Sequence, residues 1–344
     1  MPRIYITGGR QKPSALLTRD EWNAYEKAVV IELNTETGDA RCVLEYQSAP
    51  ELCPPRGASH VFKAGAWDGD QLLLCTQTEV VWFNPRSHTV TQRLSHPWMN
   101  DVHHVERIDG RLHVVSTGLD SVLEFEEDDR TLATLHSVTG DTPWVRFSEE
   151  PARGFSQDTD FRRVPTTKPH PCHANYIHFD GGQRWVSRFQ QRNAVCIETG
   201  ATTARISDAP IHDGVVDGDH TWFTVVSGSV VALDRTTHQI SARYDLDHIG
   251  REGGHPLGWV RGILRHRPHN QPVQTLLAFS RLRPTKLKQN LAWLRRPLGK
   301  APEPKPTRIA AYDLEGGRKL REWVVEKAGV SSIFSILPAR PEGA

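Results

Sequence analysis

Apolar and polar residues alternate with a period of two in a phrase that returns along the chain: an apolar run, a polar turn, then a β-rich run closing on an aromatic or aliphatic residue. It reads AVVIELNTETGDARCVLEY from Ala28, EVVWFNPRSHTVTQRL from Glu79, SVLEFEEDDRTLATL from Ser121, AVCIETGATTARI from Ala194, SVVALDRTTHQISARY from Ser229 and RIAAYDLEGGRKLREWVV from Arg308. Gly, Asn, Asp, Ser or Thr occupies each turn, which marks a β-hairpin. Upstream of four copies lies a second strand pair joined by Asp-Gly or an equivalent turn, beginning at His60, His104, His173 and His212. Two hairpins in series make a four-stranded unit of roughly 40 residues, and repetition of that unit predicts a β-propeller.

Arg3 to Thr7 reads as the second strand of a unit whose first strand is missing, and Val330 to Leu337 as an unpaired strand at the other end. Pairing them closes blade one and removes two free edges. The expected fold is therefore all-β: a six-bladed β-propeller, one domain over residues 1–344. Three insertions, 10–27, 139–171 and 282–307, interrupt the units. All fall in second-to-third or fourth-to-next-first connections, which leave a meander at the same end, so they are expected to cover one face as lids or binding segments.

Composition narrows the function. Lys and Arg number 42 against 41 Asp and Glu. The near balance lacks the basic excess of a nucleic-acid binder. No stretch approaches the roughly 20 apolar residues of a membrane-spanning helix. The N-terminus, MPRIYITGGRQKPS, lacks the parts of a secretory signal, and a cytoplasmic location is expected. Cys42, Cys53, Cys75, Cys172 and Cys196 are odd in number and without CxxC spacing, which predicts buried thiols rather than a disulfide framework or thiolate zinc site.

The innermost strand of each blade lines the channel, so His60, His104, His173 and His212, at equivalent strand starts, are expected to converge on the axis. Imidazole is the commonest protein ligand of zinc, iron and copper, and such a group predicts one divalent metal, zinc or iron before copper. A histidine near a strand start also hydrogen-bonds a neighbouring blade's backbone, which is the competing reading for each one singly. His103 and His170 replace their neighbours if the strand starts slip. Asp101, Asn175 and Asp213 stand within three residues of these imidazoles, to orient them or stabilise turns. His103 or Asp213 is the candidate to move a proton, and Arg188, Arg261 and Arg281 are the candidates to hold an anionic group of a small-molecule substrate.

The third insertion carries nine basic residues from Arg281 through Arg308 against Glu303 alone, and Leu287, Leu291, Trp293 and Leu294 predict one apolar side of a short helix. It reads as a lid, with peripheral membrane contact as the other use of a basic amphipathic helix. The acidic run Glu124 to Asp129 reads as a solvated hairpin turn.

HDGVVDGDHTWFT at His212 and HANYIHFDGGQRWVS at His173 resemble the blade phrase of virginiamycin B lyase and related NHL-type propellers. GWVRGILR, LLAFSRLR, AAYDLEGGRKLREWVV and VSSIFSIL, in the last third, are similar to a family of bacterial propeller proteins of unknown function. The lyase resemblance implies a metal-assisted elimination at a histidine-lined axial site. Elimination or hydrolysis, with oxygenation behind them, is thus the expected chemistry; the alternative is a non-catalytic scaffold that binds a protein or a membrane.

Overall fold

The structure, a computed structural model, describes residues 3–12, 24–55, 58–126, 128, 130–140, 143–144, 155–252, 257–268, 272–282 and 305–340. Blade one begins with β1 (Arg3–Gln11), β2 (Tyr25–Asn34) and β3 (Ala40–Tyr46). Blade two holds β4 (Ala66–Asp68), β5 (Gln71–Cys75), β6 (Val80–Asn84) and β7 (Thr89–Leu94), and blade three β8 (Val102–Ile108), β9 (Arg111–Ser116), β10 (Ser121–Phe125) and β11 (Leu132–Ser137). Blade four has β12 (Ala174–Asp180), β13 (Gln183–Arg188) and β14 (Asn193–Cys196). Blade five has β15 (Ile211–Asp217), β16 (His220–Val225), β17 (Ser229–Asp234) and β18 (Ile240–Asp245), followed by a single short helix turn, Leu246–Gly250. Blade six has β19 (Trp259–His266), β20 (Gln274–Ser280), β21 (Arg308–Asp313) and β22 (Arg318–Val324), and the last strand, β23 (Ser332–Pro338), pairs with β1 to complete blade one.

The six hairpin phrases are β2–β3, β6–β7, β10–β11, the β14 hairpin, β17–β18 and β21–β22. Their apolar runs are buried because each blade is packed between two others. Tyr46, Phe62, Leu74 and Phe83 fill the seam of blades one and two, Val105, Leu112, Leu73 and Trp82 that of two and three, and Ile6, Ile31, Ile309 and Ile336 the seam that closes the ring. Each such side chain contributes about 1.5–3 kcal/mol on burial. Outermost strands such as β7 keep a wet edge.

Two expectations are corrected. Blade four has three strands; where the phrase predicts a fourth, only the bridge Val195↔Thr202 forms. The Thr203 side chain takes the Ala194 N–H at 3.1 Å, and the ladder stops there. Glu124 is no solvated turn residue: it is buried and receives Arg111 at 2.6 Å, His136 at 2.7 Å and Arg184 at 2.5 Å. Burial pushes its carboxyl up, but these donors prevail and hold it at about 2. All five cysteines are free thiols, four of them buried. Among the described residues no helix is long and apolar enough to cross a membrane.

What positions the axial residues is a defect shared by the inner strands. Register slips between Val102 and His104, Ala174 and Tyr176, His212 and Val215, Arg261 and Ile263, and in β23 between Ile333 and Ser335. Before β4, Lys63 N–H bonds Cys75 O and pairing resumes at Ala66↔Leu73, one residue out of step. A bulge bends a strand and re-aims the extra side chain. The extra residues are His103, Asn175, Asp213 with Gly214, Gly262 and Phe334. Gly262 sits at φ 76°, and a Cβ there would lie 3.0 Å from Ser335 Cα, so the backbone of blade six meets that of blade one at this level.

Candidate functional site

The bulges bring residues of non-adjacent blades together, which is possible only in the channel. His103 of blade three lies 4.8 Å, ring centre to ring centre, from His173 and 6.4 Å from His212 of blade five. Phe189 packs edge-on against both His173 and His212. Asp101, His173 and Asp213 take up left-handed backbone, at φ 51°, 53° and 64°.

Hydrogen bonding constrains the tautomers. His103 Nδ1 stands 2.7 Å from the Asp101 carbonyl and 2.7 Å from Thr117 Oγ1. The carbonyl only accepts, and the Thr117 hydroxyl is donated to Ala174 O. The Asp101 carbonyl calls for the proton on Nδ1, against the Lys63 ammonium, itself a donor, 3.2 Å from the same nitrogen.

His170 is set by a longer chain. Asn100 Nδ2 donates to Phe161 O at 2.7 Å and Val164 O at 3.1 Å, which turns Oδ1 toward the Thr167 hydroxyl at 3.3 Å. Thr167 Oγ1 in turn accepts from His170 Nε2 at 3.0 Å. The ring's one in-plane lone pair, on Nδ1, then faces His173 Nδ1 at 3.0 Å.

Asp101, His170 and His173 form the one group of three His, Cys, Asp or Glu side chains, among the described residues, whose ligand atoms all lie within 4.8 Å of one another. Two nitrogens bound to one ion at about 2.1 Å stand roughly 3.0–3.4 Å apart, so the His170–His173 pair already has the spacing of neighbouring ligands. Burial, reinforced by the nearby cation Lys63 or by the other rings, holds His103 and His173 well below the ordinary imidazole range, and burial lowers His170 too. The rings are neutral, the form that ligates. Burial pushes the Asp101 carboxyl up, but the Lys63 ammonium paired with it outweighs burial and holds it well below the usual range. The donor set of two imidazoles and a carboxylate suits zinc or iron.

Of the four predicted histidines only His173 joins this group; His212 packs near it, against His103 and Phe189, and His60 and His104 stand elsewhere. His60 Nδ1 accepts the Ser48 N–H at 3.3 Å at the seam of blades one and two. His104 stacks on Tyr176 at 3.7 Å and accepts the Ile177 N–H at 3.2 Å. Both satisfy backbone, as the competing reading held, and His103 and His170 stand in their place. The bulge at His103 exchanges the sides on which the two neighbours point.

Asp213 is buried beside the group, its Oδ2 accepting from Thr224 Oγ1 at 2.5 Å and Gly262 N–H at 3.0 Å. Burial pushes it up to about 6, against the pull of those donors and of Arg261. The Arg261 guanidinium is buried over the rings of Trp259 at 5.2 Å and Phe334 at 4.8 Å, and its charge reaches Lys63, His103 and Asp213. Arg188 is engaged with Asn193 at 3.0 Å and Arg281, exposed, with Glu326 at 3.1 Å, away from these rings.

Lys63 is the residue that sequence reasoning missed. The residue is 3% exposed, and its ammonium pairs with Asp101 and lies 3.2 Å from His103 Nδ1. The available signal was a lysine in an otherwise apolar inner strand, VFKAGAW. The predicted helix around Leu287 to Leu294 lies outside the described residues, and with it the expected membrane contact of 282–307. No family model matches this chain, and no curated protein matches it.

Proposed function

We propose that the protein is a metal-dependent enzyme that acts on a small anionic molecule at the propeller axis, by elimination or hydrolysis. One observation carries this reading: the imidazoles of His170 and His173, in the segment entering blade four, meet the Asp101 carboxylate with all three ligand atoms within 4.8 Å and two ligand nitrogens 3.0 Å apart, while His103 of blade three packs against His173. Asp101, His170 and His173 are the residues that would hold the ion, which supplies a Lewis acid to polarise a carbonyl or stabilise a developing oxyanion.

The chain's own groups divide the remaining work. Lys63 and Arg261 present the positive charge that receives the anionic group. With the Nδ1 proton on Asp101 O, His103 has Nε2 to take another, and Asp213, raised to about 6, is matched to proton transfer near neutrality. His212 faces His103, ring centre to ring centre at 6.4 Å. The resemblance of the His212 and His173 phrases to virginiamycin B lyase favours elimination within this pair of reactions.

Elemental analysis of protein purified without a histidine tag tests the proposal. About one zinc or iron per chain is expected, lost in His170→Ala and His173→Ala. Wild-type protein without stoichiometric metal, after incubation with either ion, contradicts it.

A further inference from the structure

Beyond the bulges, two inner-strand carboxylates are each met by an arginine of the next blade. Asp68, two residues on from Ala66 where pairing resumes, takes Arg107 of blade three at 2.9 and 3.0 Å. Asp217, two on from Val215, takes Arg265 of blade six at 2.8 Å. Glu106, two on from His104, is the third carboxyl at this level, and no donor among the described residues reaches it. The reason lies in blade four. Its inner strand presents His178 and Phe179 where blades six and three carry Arg265 and Arg107. His178 turns away, edge-on to Phe223 of blade five.

Glu106 points across the seam of blades three and four, as His104 two residues earlier does where it stacks on Tyr176. Phe179 faces the same seam from the other side. Ile177, two residues before it, packs with Ile108 and Val115 of blade three, and Arg184, its cross-strand partner, reaches Glu124 and His113. Arg184 is committed to those two and to Glu198, so it leaves Glu106 unmet. Burial with nothing to oppose it raises the Glu106 carboxyl to about 7, and its ionised form lacks a counter-charge. Yet the group is not sealed in. Glu106 is half-buried, its oxygens keep accessible surface, and Phe179 beside it is 38% exposed.

We infer that Glu106 and Phe179 form a binding site for a guanidinium group from outside the chain, the carboxylate accepting its N–H groups and the ring covering its face. The ligand supplies the arginine that blade four lacks. This site stands apart from the axial histidines and does not rest on the metal reading.

The test is an NMR titration of the nitrogen-15-labelled chain with methylguanidine, and with methylurea as its neutral isostere, at about pH 8 where the carboxyl is ionised. Saturable shifts at the amides of Glu106 and Phe179 are expected with methylguanidine alone. In Glu106→Gln, which keeps the shape of the carboxyl, affinity is expected to fall at least about tenfold. Equal shifts with methylurea, no shifts with either, or affinity kept in Glu106→Gln overturn the inference. Capped Gly-Arg-Gly separates the sources: affinity equal to that of methylguanidine assigns a free small molecule, and tighter binding an arginine side chain of another polypeptide. Urea denaturation at the same pH needs no ligand. Glu106→Gln is expected to raise the midpoint of the wild-type chain, because it removes an unpaired charge, and to lower that of Phe179→Arg, whose guanidinium fills the site. The same sign in both backgrounds overturns the inference.

Discussion

Adjacent imidazoles at positions 103 and 104 end in different surroundings because one extra residue enters β8 between Val102 and His104. His104 belongs to the seam, where it stacks on Tyr176 and caps the Ile177 N–H. His104→Ala is expected to cost about 2–3 kcal/mol through the lost stacking and the stranded N–H, with metal content unchanged. His173→Ala is expected to reverse that pattern: metal lost, unfolding in urea little altered. Parallel urea denaturation and metal analysis separate the two.

The buried histidines also set the response to acid. Burial holds His60, His113 and His178 at about 4 and His104 at about 3, against 6.5 in the unfolded chain. Their contribution is complete above 6.5. As pH falls from there toward 4 the unfolded chain takes protons that the folded chain refuses, and stability is lost. Glu106, raised by burial to about 7, and Asp213, at about 6, act with the opposite sign, since the folded chain keeps their protons where the unfolded chain releases them. Four imidazoles outweigh two carboxyls, so the urea midpoint is expected to fall between pH 7 and pH 5; a midpoint that rises contradicts this balance.

At the scale of the element, the segment entering blade four does more than connect. Phe161 lies under Trp98 and Trp144, and Asn100 ties the carbonyls of Phe161 and Val164 to the Thr167–His170 chain. Asn100→Ala is expected to weaken metal binding roughly 10–100-fold and to speed proteolysis within 155–167, as loss of a ligand's supporting hydrogen bonds does. Unchanged affinity in a competition titration would show that His170 is held by other means.

The hairpins were legible because alternation and turn residues are local properties. The bulges were not, since a register slip is decided by the partner strand. A one-residue slip moves a side chain to the other face. This is why His104 was read for His103, and why Lys63 went unread in VFKAGAW. Glu124 was misread for a related reason. Its partner Arg184 stands 60 residues away in the next blade, and nothing in the run EFEEDD announces it.

For the whole molecule, closure is the condition on which the axial site depends. β23 brings Ile333, Ile336 and Phe334 into the ring and supplies the aromatic face on which Arg261 lies. A chain ending before Ser332 is expected to lose cooperative thermal unfolding, because β1 is left an open edge and the seam of blades six and one loses its inner side chains. A sharp transition retained in that truncation would contradict the role given to closure.

The central claim is that side chains from consecutive blades assemble one metal centre on the axis. Anomalous diffraction at the zinc edge from zinc-soaked crystals tests it most directly. A single strong peak in contact with His170, His173 and Asp101 is the expected result. A peak elsewhere, or none with the site intact, would contradict it.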